Sequence, residues 1–194
     1  HYETVLRAAD DLYLKGGENI KQGLALFDSE RGNIEAGQAW AAANMATDDA
    51  AAKLCSGYAD ADEMLSLRQH PREQIRWLED ALAATRKLKD RQAEGAWLGN
   101  LGLAWADLGE TRKAIEYHEQ SLAIKREIGD RHGEGNALGN LGLAWADLGE
   151  TRKDIEFYEQ ALVIGREIGD RRGEGADLGN LGTAWAALGE TRKA

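Results

Sequence analysis

Leu98-Gly99-Asn100-Leu101-Gly102 returns as Leu138-Gly139-Asn140-Leu141-Gly142 and again as Leu178-Gly179-Asn180-Leu181-Gly182. The interval is forty residues both times, and the segments 95–134 and 135–174 differ at only nine positions. A fixed period of this size marks stacked supersecondary units rather than one globular core. Each unit buries its apolar face against the next, so the array exposes a long shared surface. Such a surface suits binding better than turnover.

One unit reads as two helices. Asp130 is a good N-cap, and Gly129 before it a good terminator of the preceding helix. The first helix is expected over about 131–147, with Leu138, Leu141, Gly142, Trp145 and Leu148 inward at helical spacing. Gly149-Glu150 makes the turn. The second helix is expected over about 151–168, with Ile155, Tyr158, Leu162 and Ile168 inward. Gly135, Gly139 and Gly142 share one side of the first helix. Each glycine costs a helix interior up to about 1 kcal/mol, so close approach of a neighbouring helix is their expected use. A phosphate cradle lacks both its Gly-x-x-x-x-Gly-Lys string and a preceding strand pattern.

The first third is more divergent. Residues 71–90 align with 111–130, with Trp77 in the place of Tyr117, Ala81 of Ser121 and Leu82 of Leu122. Pro71 suits a helix start. The partner helix is expected over about 49–67. Before it, 2–14, 18–27 and 33–44 read as three helices, broken at Lys15-Gly16-Gly17 and at Ser29-Glu30-Arg31-Gly32. The organisation expected is therefore a helical lead-in or cap over 1–48. Repeats follow over 49–194, divided at about 49–90 (degenerate), 91–130, 131–170 and 171–194 (incomplete). Sustained period-two alternation is missing, so no sheet is expected. His1 reads as lying inside a helix, and Thr191-Arg192-Lys193-Ala194 matches Thr111-Arg112-Lys113-Ala114, where a second helix begins. The chain is expected to be a fragment of a longer protein, ending midway through a unit.

Acidic residues outnumber basic ones by 34 to 24, for a formal net charge of −10. That balance disfavours a nucleic-acid backbone as the partner, since phosphate binding needs a Lys/Arg stripe. Basic or neutral peptides remain open. A single cysteine, Cys55, excludes an internal disulfide and fits a reducing, cytoplasmic setting. No apolar run reaches membrane-spanning length, so no membrane role is expected.

The unit resembles the tetratricopeptide repeat (TPR). That family places a large apolar residue, then Leu-Gly, then an aromatic on the first helix, and small residues with an aromatic on the second. Here these are Leu98, Leu101-Gly102 and Trp105, then Ala114, His118 and Ser121; next Leu138, Leu141-Gly142 and Trp145, then Asp154, Tyr158 and Ala161; last Leu178, Leu181-Gly182 and Trp185. Arg126 and Arg166 stand where the family has a proline. Asp154 stands at a usually small buried position, as a snorkelling side chain or a local mismatch. The forty-residue period resembles the Leu-Gly-Asn repeat proteins and kinesin light chains. The repeat with its helical lead-in also resembles the C-terminal sensor arrays of bacterial signal-transduction ATPases with an NB-ARC-type motor. The fold this implies is all-α, a right-handed α-α superhelix with extra N-terminal helices.

In such superhelices the first helix of each pair lines the concave face. The resemblance then selects His132, Asn136, Asn140, Leu143 and Asp147 in the middle unit, Asn100, Leu103 and Asp107 before it, and Asn180 and Thr183 after it. Asn100, Asn140 and Asn180 form a ladder with one rung per repeat. An amide side chain both donates and accepts, so it can pair with a peptide backbone without reading its sequence. Leu103 and Leu143 would add apolar contact, and Asp107 and Asp147 a negative rim. The competing reading has the asparagines bonding to neighbouring helices. Arg112-Lys113, Arg152-Lys153 and Arg192-Lys193 read as a solvated outer face. The recurring Trp105, Trp145 and Trp185 read as core, as do Trp40 and Trp77, whereas Trp97 is expected to be more exposed.

Catalysis finds little support. His1, His70, His118 and His132 show no metal-ligand spacing, and His118, in the place of Tyr158, reads as packed. Cys55 reads as a buried structural thiol. The expectation is a protein- or peptide-binding scaffold, not an enzyme, with no cofactor and no metal. It would be the sensing part of a larger signalling ATPase. The alternative is a self-association module, a homo-oligomer formed through the apolar face around Leu181, Trp185 and Leu188.

Overall fold

The computed structural model describes residues 2–190, the Asp62 side chain excepted. His1 and the Thr191–Ala194 segment, with Arg192 and Lys193, lie outside them. Among the described residues there are ten helices and no strand: α1 (Tyr2–Lys15), α2 (Glu18–Asn44), α3 (Asp49–Tyr58), α4 (Asp62–Arg68), α5 (Pro71–Leu88), α6 (Arg91–Asp107), α7 (Thr111–Glu127), α8 (Arg131–Asp147), α9 (Thr151–Ile168) and α10 (Arg171–Ala187). The chain divides into two compact units, residues 1–93 and 94–194.

The first unit packs around Phe27, Ile34, Tyr58, Met64 and Trp77. The Tyr58 and Trp77 rings meet edge to face, centroids 6.1 Å apart. Two expectations fail here. The break at Ser29–Gly32 does not exist; α2 runs unbroken through it. Gly23, Phe27, Ile34, Gln38 and Ala41 form one buried stripe at helical spacing across that stretch. The polar residues between them belong to the opposite face, where Ser29 Oγ bonds the Leu26 carbonyl at 2.9 Å and Asn33 Nδ2 donates to Glu30 at 2.8 Å. Conversely, the single helix expected over 49–67 is two helices, α3 and α4. The α4 start is held from outside: the buried Asp10 carboxylate of α1 accepts from the Met64 amide at 2.8 Å. A cap supplied from another helix leaves no local sequence signal.

α5 begins as its sequence implies. Pro71 occupies the first turn, and the His70 ring accepts from the Arg72 amide at 3.2 Å. Its end differs from the later repeats. Lys89 adopts the left-handed conformation, φ 57°, where the corresponding Gly129 has φ 71°. Glycine adopts that conformation without strain; Lys89 pays the side-chain penalty and marks this repeat as degenerate.

The second unit is the regular part. Asp130 accepts from the Gly133 amide at 2.8 Å, and Asp170 from Gly173 at 3.0 Å, so both N-caps form. Leu98, Leu101, Leu138 and Leu141 are buried, as are Ile155, Tyr158 and Leu162. Leu148 and Ile168 are not. Leu148 is the C-cap of α8 and Ile168 the last residue of α9. Glycine is required at Gly142, where a Cβ would sit 2.6 Å from the Tyr158 ring, and at Gly102, where it would run into the His118 ring. Gly135 and Gly139 are looser: their added Cβ atoms would meet neighbours at 3.4 and 3.8 Å.

The tryptophans need correction. Trp77 is buried, but Trp40 is 54% exposed on the outward side of α2. Trp105, Trp145 and Trp185 are half-buried rather than core. Lys113 and Lys153 lie over the Trp105 and Trp145 rings, 4.0 and 3.7 Å from the centroids, so these lysines are not merely solvated. Trp97 is 5% exposed, against expectation. Its equivalents Ala137 and Asp177 are buried too, so the position is an interior column that holds three different side chains.

The arginines that replace the family's proline link successive repeats. Arg126 Nε pairs with Glu134 at 2.8 Å, and Arg166 Nε with Glu174 at 2.9 Å. Arg131 extends the first link to Glu134 and to Glu167.

Candidate functional site

The first helices α6, α8 and α10 carry the asparagine ladder on one face. Asn100, Asn140 and Asn180 are each half-buried, and none forms a side-chain hydrogen bond to another described residue. The competing reading, in which they brace neighbouring helices, therefore finds no bond to rest on.

Between successive rungs lie two pockets. The first, about 300 Å³, is flanked by Asn100 and Asn140 and floored by Gly95 and Gly99. The second, about 330 Å³, is flanked by Asn140 and Asn180 and floored by Gly135 and Gly139. An added Cβ would be tight at Gly95, 3.1 Å from Ile124 Cγ2, and in ordinary contact at Gly99, Gly135 and Gly139, at 3.5, 3.4 and 3.8 Å.

The pockets gather most of the residues expected to bind. Leu103, His132 and Asn136 join the first; Leu143, His132 and Asn136 join the second. Leu103 and Leu143 are exposed. Asn136 Nδ2 lies 3.3 Å from His132 Nδ1 along α8. Asp107, Asp147 and Thr183 line neither pocket; all three are exposed farther along their helices, and Thr183 Oγ1 is satisfied by the Gly179 carbonyl at 3.1 Å.

Three charged residues of the pockets escaped the sequence reading: Lys125, Asp170 and Asp177. In the first pocket Lys125 Nζ meets Asp130 Oδ2 at 2.9 Å, and together with the Gly133 amide it holds the Asp130 carboxyl below its usual range. In the second, Asp177 is 8% exposed and burial pushes its carboxyl up to about 6, with the nearby Asp170 charge adding to the effect. Differences between repeats are a signal for two of them, Lys125 against Gly165 and Asp177 against Ala137, whereas Asp170 merely repeats Asp130.

Two further buried groups flank this region. His118 is packed as expected, and burial pushes its imidazole down to about 4. Asp154 does not snorkel. It is buried, its Oδ1 has no partner, and burial raises its carboxyl above the usual range. The Tyr158 hydroxyl is pushed up to about 12 by burial and by the charges of Asp154, Asp177 and Asp147. Cys55 is buried in the first unit, its thiol pushed up to about 12 by the same cause. Among the described residues no group of three or more His, Cys, Asp or Glu is placed to hold a metal ion, and no helix is long and apolar enough to cross a membrane.

Residues 95–134 match the family model of the tetratricopeptide repeat. No curated protein matches the chain. Among solved structures it is similar to a signal-transduction ATPase with numerous domains (STAND) protein with a tetratricopeptide repeat sensor from Pyrococcus horikoshii, with a TM-score of 0.71 and 19% identity over 99% of this chain and 28% of that one. It is also similar to a putative kinesin light chain with nearly identical TPR-like repeats from Podosopora anserina, with a TM-score of 0.65 and 18% identity over 100% of this chain and 90% of that one. A third is BtubC (BKLC) from P. vanneervenii, with a TM-score of 0.67 and 15% identity over 100% and 84%. These likenesses show the fold, an all-α superhelical repeat of tetratricopeptide type. The chain spans only 28% of the Pyrococcus protein.

Proposed function

We infer that this tetratricopeptide-type array is a protein-interaction scaffold whose α6–α8–α10 face grips an extended peptide segment, and that it serves as the ligand-sensing part of a larger signalling ATPase. The observation that carries the peptide reading is the ladder Asn100, Asn140 and Asn180, half-buried, flanking two pockets and without a side-chain hydrogen bond among the described residues. An Asn amide pairs with one peptide unit through its N–H and C=O together, so three rungs at equal spacing suit a backbone laid along them. The exposed Leu103 and Leu143 add apolar contact beside the rungs. The sensing role rests on likeness to the Pyrococcus protein, whose own repeats are described as a sensor.

The test is peptide display against the purified chain, followed by titration of the selected peptides with wild type and an Asn100/Asn140/Asn180→Ala variant. Hydrogen bonds of this kind contribute roughly 0.5–1.5 kcal/mol each, so the triple variant should lose at least about tenfold in affinity while keeping its helical content. Equal affinity in a folded triple variant would remove the ladder from the function.

A second reading, self-association, has its own observation. Leu178 is 46% exposed on α10, whereas the equivalent Leu138 and Leu98 are buried. If α10 self-associates, Leu178→Glu should lower the mass measured by light scattering. A concentration-independent monomer in wild type would end that reading.

A further inference from the structure

Near-identical repeats should make the two pockets alike, yet six of the nine differences between them fall on residues lining one pocket or the other. The most consequential exchange is at position 125. In the first pocket Lys125 reaches Asp130 at 2.9 Å, its side chain mostly buried. In the second, the equivalent of Lys125 is Gly165. Asp170, the equivalent of Asp130, keeps its capping bonds to the Arg172 and Gly173 amides through Oδ1, but no cation among the described residues meets Oδ2. The same pocket also gains a carboxylate, since Asp177 stands where the first pocket has Ala137. Asp177 is more than nine-tenths buried, lines the pocket over Gly139, and has no hydrogen bond or ion pair among the described residues. A carboxylate buried without a counter-charge is unfavourable, and an incoming cation relieves it.

We propose that the pocket between α8, α9 and α10 receives the ammonium or guanidinium of a lysine or arginine side chain from the bound peptide, with Asp177 as the receiving carboxylate. The ligand's side chain takes the place that Lys125 fills in the preceding repeat. Asn140 and Asn180, at the pocket's two ends, hold the backbone on either side of it. The first pocket, already neutralised by its own lysine, has no such demand. The two pockets therefore differ in charge, and a peptide that fits one register does not fit the register shifted by one repeat. This inference rests on the peptide-groove reading above.

The probes are the pentapeptide acetyl-Ala-Ala-Lys-Ala-Ala-amide, its norleucine analogue, which keeps the carbon chain without the charge, and n-butylammonium. Each is titrated into the 15N-labelled chain at pH 7.5. The lysine peptide should give saturable shifts at the Gly165, Asp170 and Asp177 amides, at least tenfold tighter than norleucine or butylammonium. Two variants accompany it. Asp177→Ala restores the residue of the preceding repeat and should erase the lysine preference. Gly165→Lys restores the missing internal lysine. A Cβ at Gly165 meets only ordinary contacts, the nearest at 3.5 Å, so this variant should fold while losing the lysine peptide by at least tenfold. Equal binding of lysine and norleucine peptides, with shifts at Asn140 and Asn180, would overturn the cation pocket and leave the groove. Butylammonium binding as tightly as the peptide would overturn the peptide source. Unchanged lysine binding in folded Gly165→Lys, or no binding by any probe, would overturn the proposal outright, while the display experiment judges the groove separately.

Discussion

Gly142 and Gly179 occupy the same face of equivalent helices but face opposite surroundings, and alanine placed at each should move stability in opposite directions. At Gly179 a Cβ meets nothing within 4 Å. There the substitution only restricts the unfolded chain and improves helix propensity, a gain of roughly 0.5–1 kcal/mol. At Gly142 the Cβ would lie 2.6 to 2.8 Å from three atoms of the Tyr158 ring. That ring is buried on α9 and cannot swing clear without opening the α8–α9 contact. Overpacking of this kind costs about 1–3 kcal/mol, which outweighs the propensity gain. The net expectation is a loss of up to about 2 kcal/mol for Gly142→Ala beside a gain for Gly179→Ala. Urea titration followed by far-ultraviolet circular dichroism reads both as midpoint shifts at constant slope. A Gly142→Ala midpoint at or above wild type would refute the close-approach account of the helix glycines.

Asn140→Ala should leave the urea midpoint within about 0.5 kcal/mol of wild type, since its amide bonds nothing among the described residues; a larger drop would show that the ladder is structural. Asp177 titrates near 6 in the folded chain against 3.8 otherwise, so the folded state holds the proton more tightly. The contribution of Asp177 to stability therefore falls as pH rises from 4 to 7, by at most about 3 kcal/mol, and the difference between Asp177→Asn and wild type should follow that course. The groups facing Asp177 are Asp170 at the start of α10, Tyr158 on α9 and His132 on α8, and the variant leaves all three in place. His118 has the opposite sign. Held neutral down to about 4, it destabilises the fold as pH falls below 6.5, and His118→Tyr, which copies Tyr158, should flatten acid unfolding if the ring can be seated against Gly102. Cys55, with its thiol pushed up to about 12, should resist iodoacetamide in the native chain at pH 8 and react on unfolding; prompt native labelling would contradict its burial.

Periodicity and caps made the second unit legible, because the forces that set those helices are local: Asp130 and Asp170 cap from their own sequence, and the left-handed turns fall on glycine. The first unit was misread where non-local contacts decide. Polar Ser29–Gly32 looked like a break, but buried Phe27 and Ile34 on the other face carry the helix through. The break that does exist, before α4, is held by Asp10 from another helix. At the groove, the recurring Asn100, Asn140 and Asn180 and the exposed Leu103 and Leu143 are legible as repetition. Asp177 was not, since it matters by differing from Ala137 and by lying in a buried column whose exposure was misjudged at Trp97. Thr183, Asp107 and Asp147 were included by helical spacing alone, and spacing does not say where a pocket ends.

The Arg126–Glu134 and Arg166–Glu174 pairs join the second helix of one repeat to the first helix of the next. In a linear array, the strength of such links sets how far unfolding of one unit spreads to its neighbour, apart from the stability of either unit. The arginine partners are about half exposed, so salt screens these links while leaving the apolar contacts between repeats in place. Raising ionic strength is therefore expected to weaken this link between repeats by a fraction of the roughly 0–1 kcal/mol such pairs contribute, read as a somewhat broader thermal transition. A partner laid along the groove would restore that shared fate by bridging units from outside.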